Sequence, residues 1–101
     1  MWTEMSNKAI LLEMGNRIRN FRIRKNMQQQ ELATASGVNV TTIQRLENGF
    51  PVTTEKLISI LRVLDLLENI EGLLPTPPLS PILIRKLKGK TRMRVRNTKE
   101  Q

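Results

Sequence analysis

Ile10, Met14, Ile18 and Phe21 recur at intervals of four, four and three, one face of a helix running to about Lys25. Gly15 lies inside that helix, where it costs about 1 kcal/mol against Ala and marks either a break or a close packing contact. A shorter helix is predicted from about Gln29 to Ala35, ended by Ser36-Gly37, where Gly supplies the positive φ of a tight turn. Asn39 suits the N-cap of a third helix, which runs to about Glu47 and stops at Asn48-Gly49. Thr53 caps a fourth, with Glu55 in its first turn and Leu57, Ile58, Leu61 and Leu64 as its buried face. A fifth, from about Leu66 to Leu74, ends at Pro75. No stretch alternates as a strand does, so the expected fold class is all-α, a compact five-helix bundle.

Four of the five prolines fall between Pro75 and Pro81, the one clear break in composition. The break predicts a domain over 1–74, a stiff connector over 75–81 and an appendage over 82–101. Ser80 as N-cap and Pro81 in the first helical position would start a short helix to about Leu87. Beyond it, the alternating arginines suit a short strand or a disordered arm.

Charge sharpens this division. The 101 residues hold 17 Lys+Arg and 9 Asp+Glu, a net +8. Residues 85–101 hold eight of those bases and one acid, a net of +7, leaving +1 for residues 1–84. Cys and His are both absent, which excludes thiolate zinc sites and the commonest general base. Three aromatics are too few for a base-stacking platform. No catalytic residue, metal or cofactor is therefore expected. The densest apolar stretch, Leu57 to Leu74, is broken by Arg62, Asp65, Glu68 and Glu71 and should not span a bilayer. Without a basic and apolar leader, a cytoplasmic protein is expected.

Residues 29–48 carry the informative constellation. Gln29, Leu32, Ala33, Gly37, Val38, Ile43 and Leu46 each meet a packing demand of two helices crossing steeply through a short turn. Ala33 is small where the helices approach, Gly37 turns the chain, and Val38, Ile43 and Leu46 pin the second helix. This places Val40, Thr41, Gln44 and Arg45 on the outward face, free to enter a major groove. Arg45 can donate two hydrogen bonds to guanine and Gln44 can pair with adenine. Thr41 offers a methyl or a hydroxyl, and Val40 a surface for a thymine methyl. Gln29, at a helix N-terminus, is a candidate phosphate contact, and so is Asn39, the N-cap of the next helix. The bland readings are an ordinary helical hairpin with polar caps and solvated charge.

The stretch from Met27 to Ala33, through Ser36-Gly37-Val38, to Ile43-Gln44-Arg45-Leu46-Glu47-Asn48-Gly49 resembles the helix-turn-helix of the lambda-repressor/Cro (Xre) family. The resemblance covers roughly residues 12–74 and implies a sequence-specific binder of double-stranded DNA, a transcriptional regulator. It implies phosphate contacts at Gln28 and Asn48. One departure is Gln28, where the family has Thr or Ser, and Gln is a poor N-cap. The family also pairs the position of Glu47 with an arginine on the first helix, here Arg22. A carboxylate in a DNA-facing unit repels phosphate unless neutralised, so an Arg22–Glu47 ion pair makes physical sense.

One recognition helix reads few base pairs, so a homodimeric repressor on a pseudo-palindromic operator is expected. Between Leu57 and Leu74, 11 of 18 positions are apolar, more than two single stripes require. The surplus predicts a dimer interface formed by Leu57, Ile60, Leu61, Leu64, Leu67 and Ile70. Its rival is a fold-back of the connector or of Ile82, Leu83, Ile84 and Leu87 over the same surface. The basic tail, Lys88, Lys90, Arg92, Arg94 and Arg96, would add salt-sensitive affinity along phosphates. The arrangement with its Pro-Leu-Ser-Pro stretch also resembles HipB-type antitoxins. That resemblance implies a second partner, a HipA-like kinase toxin that the chain would restrain while autoregulating its operon.

Overall fold

A computed structural model describes residues 1–78 together with Pro81, Ile82 and Arg85. A 3-10 turn, Trp2–Glu4, precedes five helices: α1 (Asn7–Arg24), α2 (Gln29–Ser36), α3 (Val40–Glu47), α4 (Thr54–Val63) and α5 (Asn69–Leu73). Among the described residues there is no strand. The all-α, five-helix expectation therefore holds over residues 1–78. The predicted N-cap Ser80 and the tail residues Lys88, Lys90, Arg92, Arg94 and Arg96 lie outside the described residues. Pro81, Ile82 and Arg85 are helical.

Three helix starts are held by a local hydrogen bond to a side chain. Ser6 Oγ accepts from the Ala9 amide at 3.1 Å, and Thr53 Oγ1 from the Lys56 amide at 3.3 Å. At α2, Glu31 reaches back, its carboxylate accepting from the Gln28 amide at 2.6 Å. This contact offsets the missing hydroxyl and explains why α2 begins on schedule behind a weak cap. Asn39 stands at the N-cap of α3 as expected, but its side chain makes no capping hydrogen bond.

Four helix ends share one closure. Each passes into a left-handed residue: Asn26 (φ 56), Gly37 (φ 74), Gly49 (φ 88) and Asp65 (φ 61). After α1 the amide of Met27 donates to the Arg22 carbonyl at 3.2 Å and that of Asn26 to Ile23 at 2.9 Å. After α2 Val38 donates to Ala33 at 3.0 Å, after α3 Phe50 to Arg45 at 2.9 Å, and after α4 Leu66 to Leu61 at 2.8 Å. These paired bonds are Schellman closures, which satisfy carbonyls that a helix end otherwise orphans. Two of the four use residues with a Cβ that resists positive φ. Asn26→Gly should therefore stabilise the domain by up to about 1 kcal/mol, read as a raised urea midpoint at unchanged slope.

The core consists of Ile18, Leu32, Ala33, Ile43, Leu46, Ile60 and Leu64, with Met27, Val38, Val40, Val52, Leu57, Val63 and Leu66 packed against it. On α1 only Ile18 of the predicted stripe is fully buried; Ile10 and Met14 are half-buried and Phe21 is exposed at its margin. On α4 the inward positions are Ile60 and Leu64, while Leu57, Ile58 and Leu61 are half-buried. This corrects two expectations. Ile60 joins Leu64 on the buried face, and neither has surface left for a dimer interface. The predicted fifth helix is also shorter, because Leu66 is irregular and Leu67 and Glu68 form a turn after the left-handed Asp65.

Gly15 resolves as a close packing contact. A Cβ there would collide with the Leu46 carbonyl oxygen and lie 3.0 Å from the Glu47 carbonyl. The end of α3 therefore rests directly on the backbone of α1.

Candidate nucleic-acid interface

Helix α3 divides into two faces. Ile43, Leu46 and Glu47 are buried, while Thr41, Gln44, Arg45 and the following Asn48 are exposed. At 100° per residue these four occupy one adjoining sector of the helix surface. Val40 departs from expectation. It is half-buried and packs against the core, because it lies three residues before Ile43 and seven before Glu47, on the buried side of the helix. It does not stand with the outward row.

The buried edge of α3 is electrostatic. Glu47 has a side chain with no exposed surface, yet three side chains hydrogen-bond it, two of them charged. Arg22 Nε donates to Oε2 at 2.6 Å and Arg22 Nη2 to Oε1 at 3.1 Å, a fork-on-fork bidentate pair. Gln29 Nε2 donates to Oε1 at 3.0 Å, and Arg19 Nε reaches the same oxygen at 3.4 Å. Arg22 Nη1 also donates to the Met27 carbonyl at 2.8 Å, which fixes the loop into α2. Burial by itself pushes the Glu47 carboxyl up. The hydrogen bonds from Arg22, Gln29 and Arg19, with the Arg22 charge, outweigh it and hold the group below its ordinary range. One carboxylate thus ties α1, α2 and α3 together behind the exposed row.

Gln29 is therefore partly committed. Local sequence shows a polar side chain at a helix N-terminus, whereas the fold places its amide on Glu47, 18 positions away. Gln28 and Asn39 are exposed at the N-termini of α2 and α3, where backbone amides suit anions. Asn48 is exposed at the C-cap of α3, its backbone N–H taken by helix carbonyls, so only its side chain is free to meet one. The Gln28 backbone N–H is already taken by Glu31.

Two features went unread in the sequence. Arg45 lies over the Phe50 ring, with its guanidinium carbon 4.4 Å from the centroid. Beside it, Thr42, Arg45, Pro51, Val52, Thr53 and Lys56 line an open concavity of about 450 Å³ at the start of α4. The Gly49 closure of α3 was the available signal, since it returns the next residue alongside the helix end.

A second, apolar groove of about 330 Å³ runs between α1, α4 and α5. Leu57, Leu61 and Ile70 of the predicted dimer set line it, with Trp2, Met14, Phe21 and Leu73. Leu67 is half-buried outside that lining.

A short helix packed against α3 and α4, a tight glycine turn and a second helix with one face locked against α1 and one face bare define a helix-turn-helix DNA-binding domain. Residues 18–68 match the family model described as helix-turn-helix, which spans half of the chain. The chain belongs to this family, in its Xre/lambda-repressor-like form, and is a DNA-binding transcription regulator in kind. No curated protein matches the chain. Among the described residues, no helix is long and apolar enough to cross a membrane.

Proposed function

We propose that the chain is a sequence-specific repressor that reads a pseudo-palindromic operator as a homodimer. The observation that carries this reading is the exposed row Thr41, Gln44 and Arg45 on a helix whose opposite face is locked by Ile43, Leu46 and Glu47. Arg45 pairs with a guanine edge, Gln44 with an adenine, and Thr41 with a neighbouring methyl or base edge. Gln28, Asn39 and Asn48 fix the register through phosphates, and the remaining N–H of Gln29 serves the same end. The described domain reads bases through these few side chains. The charge of Lys88, Lys90, Arg92, Arg94 and Arg96 supplies the salt-sensitive share of affinity.

The apolar groove supports the dimer. Leu57, Leu61 and Ile70 present apolar surface there, and Leu73 is 72% exposed beside them. The proposed interface keeps these residues and drops Ile60 and Leu64, which the core uses. A kinase toxin of the HipA-like kind, with the chain as its antitoxin, is the rival occupant of such a surface. Co-expression with the product of a neighbouring gene, followed by co-purification, separates the two.

Selection from a randomised duplex pool tests the main reading. The enriched sequences should hold two inverted half-sites about 34–36 Å apart along the duplex. Arg45→Ala or Gln44→Ala should each lose about 1–3 kcal/mol at one base position and relax preference there. Enrichment of a single unrepeated half-site would overturn the dimer, and unchanged preference in both variants would overturn the assignment of the reading face.

A further inference from the structure

We propose that Phe50 is a positioning residue for DNA reading: its ring holds the Arg45 guanidinium at the outer edge of α3, with the hydrogen-bonding edge left open for a guanine. The proposal rests on Arg45 as a base contact and adds the device that aims it.

The backbone supplies the first part of the argument. Gly49, at φ 88, lets the chain double back so that the Phe50 amide donates to the Arg45 carbonyl at 2.9 Å. In this closure the side chain after the left-handed residue is brought against the residue whose carbonyl it caps. After α1 the capped residue is also an arginine, Arg22, but the side chain that follows is Met27; after α3 it is the aromatic ring of Phe50. The ring meets the guanidinium at 4.4 Å, the shortest of three arginine–aromatic stacks among the described residues, the others being 4.8 and 5.9 Å.

The second part is what Phe50 does not do. It is 47% exposed and is absent from the core. Arg17, Arg19 and Arg22 each meet a carboxylate, but among the described residues Arg45 meets none. The ring is thus its partner. A stacked guanidinium uses its flat face, and its five N–H donors lie in the plane and stay available. Rotamer freedom that a free arginine would lose on reaching a base is already restricted before DNA arrives.

The test uses the full chain and the duplex enriched from a randomised pool, with each guanine replaced in turn by 7-deazaguanine, which lacks the N7 acceptor. The parent should lose affinity at the guanine that Arg45 reads. Phe50→Leu should weaken binding to the unmodified duplex about three- to tenfold and shrink the 7-deazaguanine penalty at that position. Phe50→Tyr, which keeps the ring, should preserve both. In the Arg45→Ala background Phe50→Leu should cost nothing further. A Phe50→Leu protein that binds as the parent does overturns the proposal, as does an equal loss in the Arg45→Ala background, which would make Phe50 a DNA contact itself. If Arg45→Ala keeps every guanine penalty, the base-reading role fails and the positioning role falls with it. If only the Phe50 arms fail, base reading by Arg45 stands.

Discussion

Glu47→Ala should destabilise the domain by about 3–5 kcal/mol, a large share of what a domain this size holds in reserve. The substitution leaves Arg22, whose side chain is only 11% exposed, without its carboxylate. It also strands the Gln29 amide and opens space behind α3. An uncompensated buried charge is costly because the interior cannot replace the hydration that the ion lost on folding. Arg19→Ala should cost far less, since its contact is 3.4 Å long and its side chain is 42% exposed. Urea denaturation of the two variants reads this difference directly. Similar losses in both would show that charge count, and not the buried fork, holds the three helices together.

The same carboxylate makes stability depend on pH. Its folded-state pKa lies below the ordinary carboxylate value, so it contributes stability fully above that ordinary value. The contribution disappears as pH falls from the ordinary carboxylate range down through the lowered folded value. Glu47→Gln removes the titrating group while keeping the shape. Its urea midpoint should start lower at neutral pH and fall less steeply in acid than that of the parent.

These predictions draw on features that sequence reveals unevenly. Gly37 and Gly49 announce two helix ends because a left-handed turn has few other residues to use. The outward placement of Thr41, Gln44 and Arg45 follows from a helical period set by Ile43 and Leu46. Val40 obeys the same period and belongs inward, since it stands three residues before Ile43 and seven before Glu47, both buried. Ile60 is harder to place. In a stretch with apolar residues at 11 of 18 positions, several stripes are equally apolar, and only packing chooses the inward one. Gln29 and Arg19 show another limit. Their partner is Glu47, 18 and 28 positions away, and no local spacing carries a bond of that range. The Arg22–Glu47 pair is visible beforehand only through family resemblance joined to the argument that a DNA-facing acid must be neutralised.

Gly15→Ala should be the second severe substitution, and its sign opposes helix propensity. In the middle of an exposed helix the change would stabilise by about 1 kcal/mol. Here the new methyl group would meet the carbonyls of Leu46 and Glu47, which are backbone atoms already committed to α3 and its end. A flexible side chain could swing away, whereas a helix must move as a body. The net cost should reach the upper end of the about 1–3 kcal/mol typical of overpacking, with Gly15→Val higher still. Moving α3 outward would also lengthen the Arg22–Glu47 bonds, which now span 2.6 and 3.1 Å between α1 and α3. The two effects are therefore coupled: in an Arg22→Ala background, Gly15→Ala should cost less than it does alone, a non-additivity that a double-mutant cycle measures. Because the exposed row of α3 rides on the same contact, Gly15→Ala should weaken specific DNA binding even in a protein refolded under stabilising conditions. Full affinity and stability in Gly15→Ala would show that α3 can stand further from α1 without loss, and that glycine at this position does not set the pose of the reading face.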